Sequence, residues 1–319
     1  MNKQIKSFLW MIVIFLILFL LIFVFDSFIK EFSTDLSTDD LTTIVDKAEP
    51  DNGDHYDGSS LIPNGYYNKT NNLSGEELKA ALNDLISEHD EFSYTSEKTD
   101  VWDILRVADE DPNNNDNIIM FYTGISHPKE CQDTKYPPEF CAVDLYGEEK
   151  LTEWNREHIW SKSRGDFGTK RGAGTDTHHI VAAERAMNST KNNRIFQDCN
   201  DGDDNNIIDR QYGNFTCNDW GFEPRDEVKG DVARMIFYMM VRYEGEDGEV
   251  DLEVNDQILN PTKKDKDPYY GDLDDLLRWH QEDPVSEWEV NRNETIYSFQ
   301  GNRNPFIDNP KFVELIFEN

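Results

Sequence analysis

A chain of 319 residues is long enough for one large domain or two small ones, with a sizeable core. Its formal charge of −33 at pH 7 argues at first sight against a polyanionic ligand, because nucleic-acid affinity comes largely from Lys and Arg neutralising phosphates. The charge is unevenly spread, however: residues 155–195 carry eight basic and four acidic side chains, a +4 island able to focus a phosphate backbone onto one place. The plainer reading of that island is solvated loop charge.

In chain order, Phe8 to Phe25 is an unbroken apolar run of 18 residues behind Lys3 and Lys6 and ahead of Asp26. That length just spans a hydrocarbon core, and the flanking charges predict an inside N-terminus and an external body. No small-x-small cleavage site follows closely, so residues 1–26 are expected to be an uncleaved signal-anchor, the alternative being secretion after cleavage. Residues 27–72, rich in Asp, Ser, Thr, Asn and Gly, read as an acidic disordered stalk. Folding resumes near Ser74, which forms a capping box with Glu77 ahead of a helix carrying Leu78, Leu82, Leu85 and Ile86. Val101 to Val107 is expected to be a short helix and Ile118 to Tyr122 a buried strand. Between them Asp109, Asp111, Asn113 and Asp116 crowd one turn, and Asp198, Asn200, Asp203 and Asp204 crowd another. Either could ligate structural Ca2+, but neither has the full twelve-residue loop, and turns favour Asp and Asn anyway.

Four cysteines form two local pairs, Cys131 with Cys141 and Cys199 with Cys217. In an exported body these read as two disulfides, with free thiols as the alternative. Pro224 is expected to open a long helix whose apolar face is Val228, Val232, Met235, Ile236, Met239 and Tyr243. Asp283 and Pro284 start another, carrying Trp288, Ile296 and Phe299 and ending at Gly301.

The stretch from Glu153 to Arg194 holds the chemistry. Asn155-Arg156-Glu157-His158-Ile159-Trp160 is followed by a loop with Gly165, Gly168, Gly172 and Gly174, by Asp176-Thr177-His178-His179, and by Asn188-Ser189-Thr190-Lys191-Asn192-Asn193-Arg194. Cutting a phosphodiester needs a water stripped of its proton, charge relief at phosphorus and a stabilised leaving oxygen. His158 suits the role of base, because a neutral imidazole is available near neutral pH. Glu157 and Asn188 offer hard oxygens for one Mg2+ or another divalent cation, with waters and phosphate filling its shell. Neighbours on a regular strand face opposite ways, so Glu157 and His158 can share a site only at a strand end, a bulge or a bend.

These residues resemble the bacterial endonuclease I family, of the ββα-metal (His-Me finger) class, and within it the secreted extracellular ribonuclease branch. The likeness is carried by NREHIWSKS (155–163), GDFGT (165–169), GTDTHHI (174–180) and NSTKNN (188–193). LSGEELKAA (73–81), DEDPNN (109–114), EVKGDVARMIFY (227–238) and QGNRNPFI (300–307) extend it. It implies His158 as general base, Glu157 and Asn188 as magnesium ligands, 5'-phosphate products and DNA, RNA or both as substrate. It also implies a two-stranded hairpin bearing the base and a crossing helix, here about Glu184 to Lys191, bearing the Asn. Asp176, His178 and His179 are candidates to orient the ligands, with the two histidines as alternative base or ligands. Arg164, Arg171 and Lys191 are candidates to meet phosphate.

The expected fold is α+β: a ββα-metal finger core embedded in a mostly helical domain at 73–319, behind an N-terminal transmembrane helix. The expected function is a monomeric, membrane-tethered, externally facing endonuclease. The rivals are an inactive surface-binding protein on a nuclease scaffold and a metal-dependent phosphatase.

Overall fold

A computed structural model describes residues 61–317, apart from 134–137, 146–147, 200–206, 210–211, 218 and 255–260. The expected anchor at 8–25 and most of the expected stalk lie outside the described residues. Among the described residues no helix is long and apolar enough to cross a membrane.

The ordered body starts earlier than position 73. A turn of 3-10 helix at Asn68–Thr70 buries Thr70, Tyr67 donates to Asp308 Oδ2 at 2.6 Å, and its ring packs on Phe312. Helix α1 (Gly75–Ile86) buries Leu78, Leu82 and Ile86. Ser74 is its N-cap, but the expected capping box is absent, because the Ser74 side chain accepts no cap hydrogen bond. Gly75 enters the helix at φ 56°, a left-handed start that turns the Ser74 hydroxyl off the first-turn amides. Helix α2 (Val101–Ala108) does have such a box, made by Asp100 and Asp103.

Strands β1 (Glu110–Asp111), β2 (Asn114–Met120) and β3 (Ile125–Pro128) form an antiparallel sheet in that order. The expected strand starts earlier, at Asn114, and ends at Met120, so that Phe121 and Tyr122 fall in the turn after it, where Phe121 N bonds Ala182 O at 2.8 Å. A hairpin, β4 (Ala142–Leu145) and β5 (Glu148–Leu151), follows the Cys131–Cys141 disulfide. Then come the paired strands β6 (Trp154–His158) and β7 (Ile180–Glu184), with α3 (Arg185–Lys191) continuing directly from β7. Strands β8 (Ile195–Phe196), β9 (Ile207–Asp209), β10 (Asn214–Thr216) and β11 (Gly221–Glu223) make a sheet ordered β8-β11-β10-β9, in which β8 and β11 are parallel. The second expected disulfide, Cys199–Cys217, is also formed.

Helix α4 (Lys229–Arg242) is the centre of the core and packs against α5 (Leu273–Glu282) and α1. It starts at Lys229, after a 3-10 turn, rather than at Pro224, and all of its residues are buried, not one apolar face. Its charges, which look like a solvent face in one dimension, are paired inside. Arg234 bonds both oxygens of Glu289 at 2.6 and 2.8 Å, and Arg242 meets Glu249 at 2.7 Å. Helix α6 (Glu287–Gln300) begins beyond Asp283-Pro284, capped by Ser286 and Glu289, and ends at Gly301 with φ 81° as expected. The short helices α7 (Pro305–Asp308) and α8 (Phe312–Phe317) close the chain.

The first turn expected to take Ca2+ is otherwise engaged. Asp109 is fully buried, one oxygen accepting from Arg292 Nε at 2.8 Å and the other from Ala182 N at 2.6 Å. In the second turn Asp198 meets Arg278 and Trp279, at 2.7 and 2.8 Å, while Asn200, Asp203 and Asp204 lie outside the described residues. Among the described residues no group of three or more His, Cys, Asp or Glu side chains is disposed to hold a metal.

Candidate active site

The ββα unit follows from local preferences. β7 reads Ile-Val-Ala-Ala-Glu and is buried on both faces, Ile180 and Ala182 joining one apolar cluster and Val181 and Ala183 another. Glu184 then starts α3 as its N-cap: Oε2 accepts from Met187 N at 2.7 Å while Oε1 takes the Thr152 hydroxyl at 2.6 Å. β6 runs antiparallel to β7, with Glu157 opposite Val181 and His158 opposite Ile180. His158 is the last residue of β6, which satisfies the geometric demand that these two neighbours sit at a strand end.

Glu157, His158 and Asn188 all line one cleft of about 470 Å3, together with Tyr94, Trp102, Asp133, Asn155, Arg156, Lys162 and Asn193 among others. Glu157 is buried, and its Oε1 accepts from the Tyr122 hydroxyl at 3.0 Å and faces Lys191 Nζ at 3.1 Å. Burial raises the Glu157 carboxyl pKa, and Lys191 opposes that rise. Asn188, on α3, donates its Nδ2 to Asn155 Oδ1 at 2.8 Å and to the Arg156 carbonyl at 3.3 Å. These two bonds engage the donor end of the amide and leave its oxygen as the acceptor end.

His158 is held on three sides. Its Nε2 lies 3.1 Å from the Gly174 carbonyl, which can only accept, so Nε2 carries the proton and Nδ1 keeps its lone pair. Its ring stacks on Tyr94 at 5.7 Å and leans on His179 at 5.4 Å. Burial, then the neighbouring His179 and Lys162, hold its pKa well below the ordinary imidazole value. Gly174 has to be glycine for this: a Cβ there would lie 2.5 Å from the Lys170 carbonyl, so the loop folds its own backbone into place beneath the imidazole.

The remaining candidates are spread more widely. Lys191 is fully buried under the cleft rather than on its surface. Besides Glu157 it meets the His158 and Ile159 carbonyls at 3.3 and 3.2 Å and Ser161 Oγ at 2.9 Å. Glu157 and contacts from Tyr270 keep its ammonium above the usual lysine range despite burial, which acts the other way. Arg164 is buried too, bonding the Asn193 carbonyl at 3.3 Å and Asp265 at 3.4 Å. Arg171 is exposed and meets Ser93 Oγ at 2.9 Å. Asp176 and His178 turn towards the helical core: Asp176 accepts from Tyr238, Tyr243 and Gln300, and His178 faces the Asn302 carbonyl at 3.1 Å. His179 is the one of this trio that touches His158.

Sequence reasoning did not single out Tyr94 and Trp102, whose rings form part of the cleft wall, nor Asn155, which orients Asn188. Arg156 and Lys162 were visible only as members of the cationic island. Nothing in a lone Tyr far upstream of the motif could have placed it there.

A sequence-family model described as endonuclease I matches residues 74–311. The chain is 43% identical over 253 residues to an extracellular ribonuclease of Bacillus subtilis (strain 168), covering 79% of this chain and 78% of that protein. An extracellular ribonuclease of Bacillus amyloliquefaciens is 44% identical over 253 residues, with the same coverage.

Proposed function

The chain belongs to the endonuclease I family and is a nuclease, and from that premise we propose that it hydrolyses phosphodiesters of RNA, DNA or both outside the cell. The reading assigns the base to His158 and a divalent cation of the Mg2+ type to Glu157 and Asn188. It gives 5'-phosphate products with little sequence preference. The proposed body is external, whether residues 8–25 tether it or are removed, and the two relatives described as extracellular favour that side of the membrane.

The observation that carries the assignment is the fixed tautomer of His158. A carbonyl on Nε2 leaves Nδ1 unprotonated in the neutral ring, and burial favours that neutral form. A water beside Nδ1 therefore finds an acceptor that needs no prior deprotonation. Glu157 and Asn188 fit a hard cation: one carboxylate oxygen, Oε2, opposite the engaged Oε1, and one amide oxygen. So small a set suits an ion that retains several waters, and it is too small for a Ca2+ cage or a structural zinc site. When bound, such a cation supplies charge relief at phosphorus and steadies the leaving oxygen. Tyr122 and Lys191 hold Glu157 in place, and Asn155 holds Asn188.

The test is cleavage of single- and double-stranded polymers, with and without EDTA, by the wild type and by His158→Ala. His158→Ala is expected to lower kcat by about 10²–10⁴-fold with thermal stability near wild type. Wild-type turnover that survives in the variant removes His158 from the mechanism. Undiminished cleavage in EDTA removes the cation. Turnover of a small phosphomonoester but not of polymer would select a phosphatase instead.

A further inference from the structure

Arg156 carries a charge that no carboxylate among the described residues neutralises at ion-pair distance. Its guanidinium carbon lies 3.3 Å from the Tyr94 ring centroid and 3.9 Å from that of Trp102. Nη1 is engaged by the Tyr94 carbonyl and, at 3.1 Å, by Thr95 Oγ1, and Nε is buried with no partner. Lys162 is exposed at the same cleft, 5.8 Å from the same Tyr94 ring, and it too has no ion-pair partner among the described residues. The acidic groups of the cleft do not balance the two cations, because Glu157 is matched by Lys191 and only Asp133 remains. A partly desolvated guanidinium without an anion is costly, and contact with aromatic faces offsets only part of that cost.

The positions of these groups say what the anion is. Arg156 and His158 are two apart on β6, so they share a strand face about 6.6 Å apart, and the Tyr94 ring lies against both. Neighbouring phosphates of an extended polynucleotide strand match such a spacing, and a guanidinium fork suits a phosphate's paired oxygens. We propose that Arg156 and Lys162 form a second phosphate subsite, which grips the phosphate flanking the scissile one and so makes the enzyme selective for polynucleotides over isolated diesters. The subsite rests on the nuclease reading of His158 and extends it to the substrate. It replaces Arg164 and Arg171, which lie buried and off the cleft respectively, as the groups that meet the backbone.

Each cation that neutralises a phosphate steepens the salt dependence of binding, by about 0.7 in the log–log slope for a single strand. The experiment measures anisotropy of a labelled single-stranded oligonucleotide in EDTA across a salt series. His158→Ala should keep the wild-type slope. Arg156→Met and Lys162→Gln should each reduce it by about 0.7 and weaken binding several-fold, and Arg156→Lys should restore the slope. In cleavage assays Arg156→Met should lower kcat/KM several-fold more for polymer than for bis(p-nitrophenyl) phosphate. Should Arg156→Met fail to fold, the exposed Lys162→Gln decides. Wild-type slopes in both Arg156→Met and Lys162→Gln, with a wild type that cleaves polymer, overturn the subsite alone. A wild type that neither binds nor cleaves polymer overturns the nuclease reading and the subsite with it.

Discussion

The block around α4 and the cleft on β6 are both crowded with ionisable groups, but they treat those groups differently. In the block, Arg234 is met by Glu289 and Asp231, Arg303 by Asp308 and Glu294, Arg292 by Asp109 and the Thr177 carbonyl, and Asp176 by two tyrosines and Gln300. In the cleft, Arg156 and Lys162 have no carboxylate at ion-pair distance among the described residues, His158 is held through one nitrogen, and Asn188 through the donor end of its amide. A buried charge whose bonding capacity is filled serves the architecture. One that no opposite charge meets is a place for something from outside. By that criterion Lys191 belongs with the architecture despite lying in the motif, since its four oxygen contacts complete it.

The largest expected effect that divides the two regions is on stability. Arg234→Met leaves Glu289 and Asp231 buried and unanswered, and breaking such a set typically costs about 3–5 kcal/mol. Arg156→Met has no ion pair to break and loses mainly its ring contacts, about 1 kcal/mol. Urea unfolding of the two variants measures both. Equal losses would mean that the cleft arginine is as architectural as the core one.

A smaller effect comes from acid. His178 and His280, both in the block, are held down to about 4: burial is the main cause for each, Asp176 opposing it at His178 and Arg234 adding to it at His280. In the unfolded chain the same rings titrate near 6.5. Between those values the unfolded state binds protons that the folded state does not, so stability falls as pH falls from about 6.5 towards 4. The slope is at most about 1.4 kcal/mol per pH unit per ring. Asp176, held far below the carboxylate range, adds its own loss only at still lower pH. His127, His158 and His179 are lowered by burial as well, so unfolding followed from pH 7 to pH 4.5 should steepen by the share of all five rings, and His280→Gln should remove one ring's share of the increment. A flat profile would place charged histidines inside the block.

How much of this was legible in one dimension follows the same division. Glu157, His158 and Asn188 stand in two short runs, and the strand and helix that carry them are continuous with those runs, so proximity in sequence passes into proximity in the cleft. The fate of Asp176 and His178 was not legible, because their partners Tyr238, Gln300 and Asn302 arrive from segments far downstream. The all-round burial of α4 was hidden for a related reason: Arg234 and Arg242 read as a solvent face until Glu289 and Glu249 are brought against them. The Ser74 cap failed on a local detail, the left-handed Gly75, which no pattern of residue types reports.

The smallest effect expected is at Arg171, and it bears most directly on which cations meet substrate. Arg171 belongs to the same basic island as Arg156, is far more exposed, and by charge counting alone is the better phosphate contact. Among the described residues its hydrogen bond is to Ser93 Oγ at 2.9 Å, however, and it is no part of the cleft wall. Arg171→Gln should therefore change kcat/KM on polymer by less than about twofold and stability by less than about 0.5 kcal/mol. The salt slope of oligonucleotide binding should stay as in the wild type. If instead Arg171→Gln flattens that slope as much as Arg156→Met, the strand must run across the glycine-rich loop. Spare bonding capacity in the cleft would then be the wrong guide to where the backbone lies.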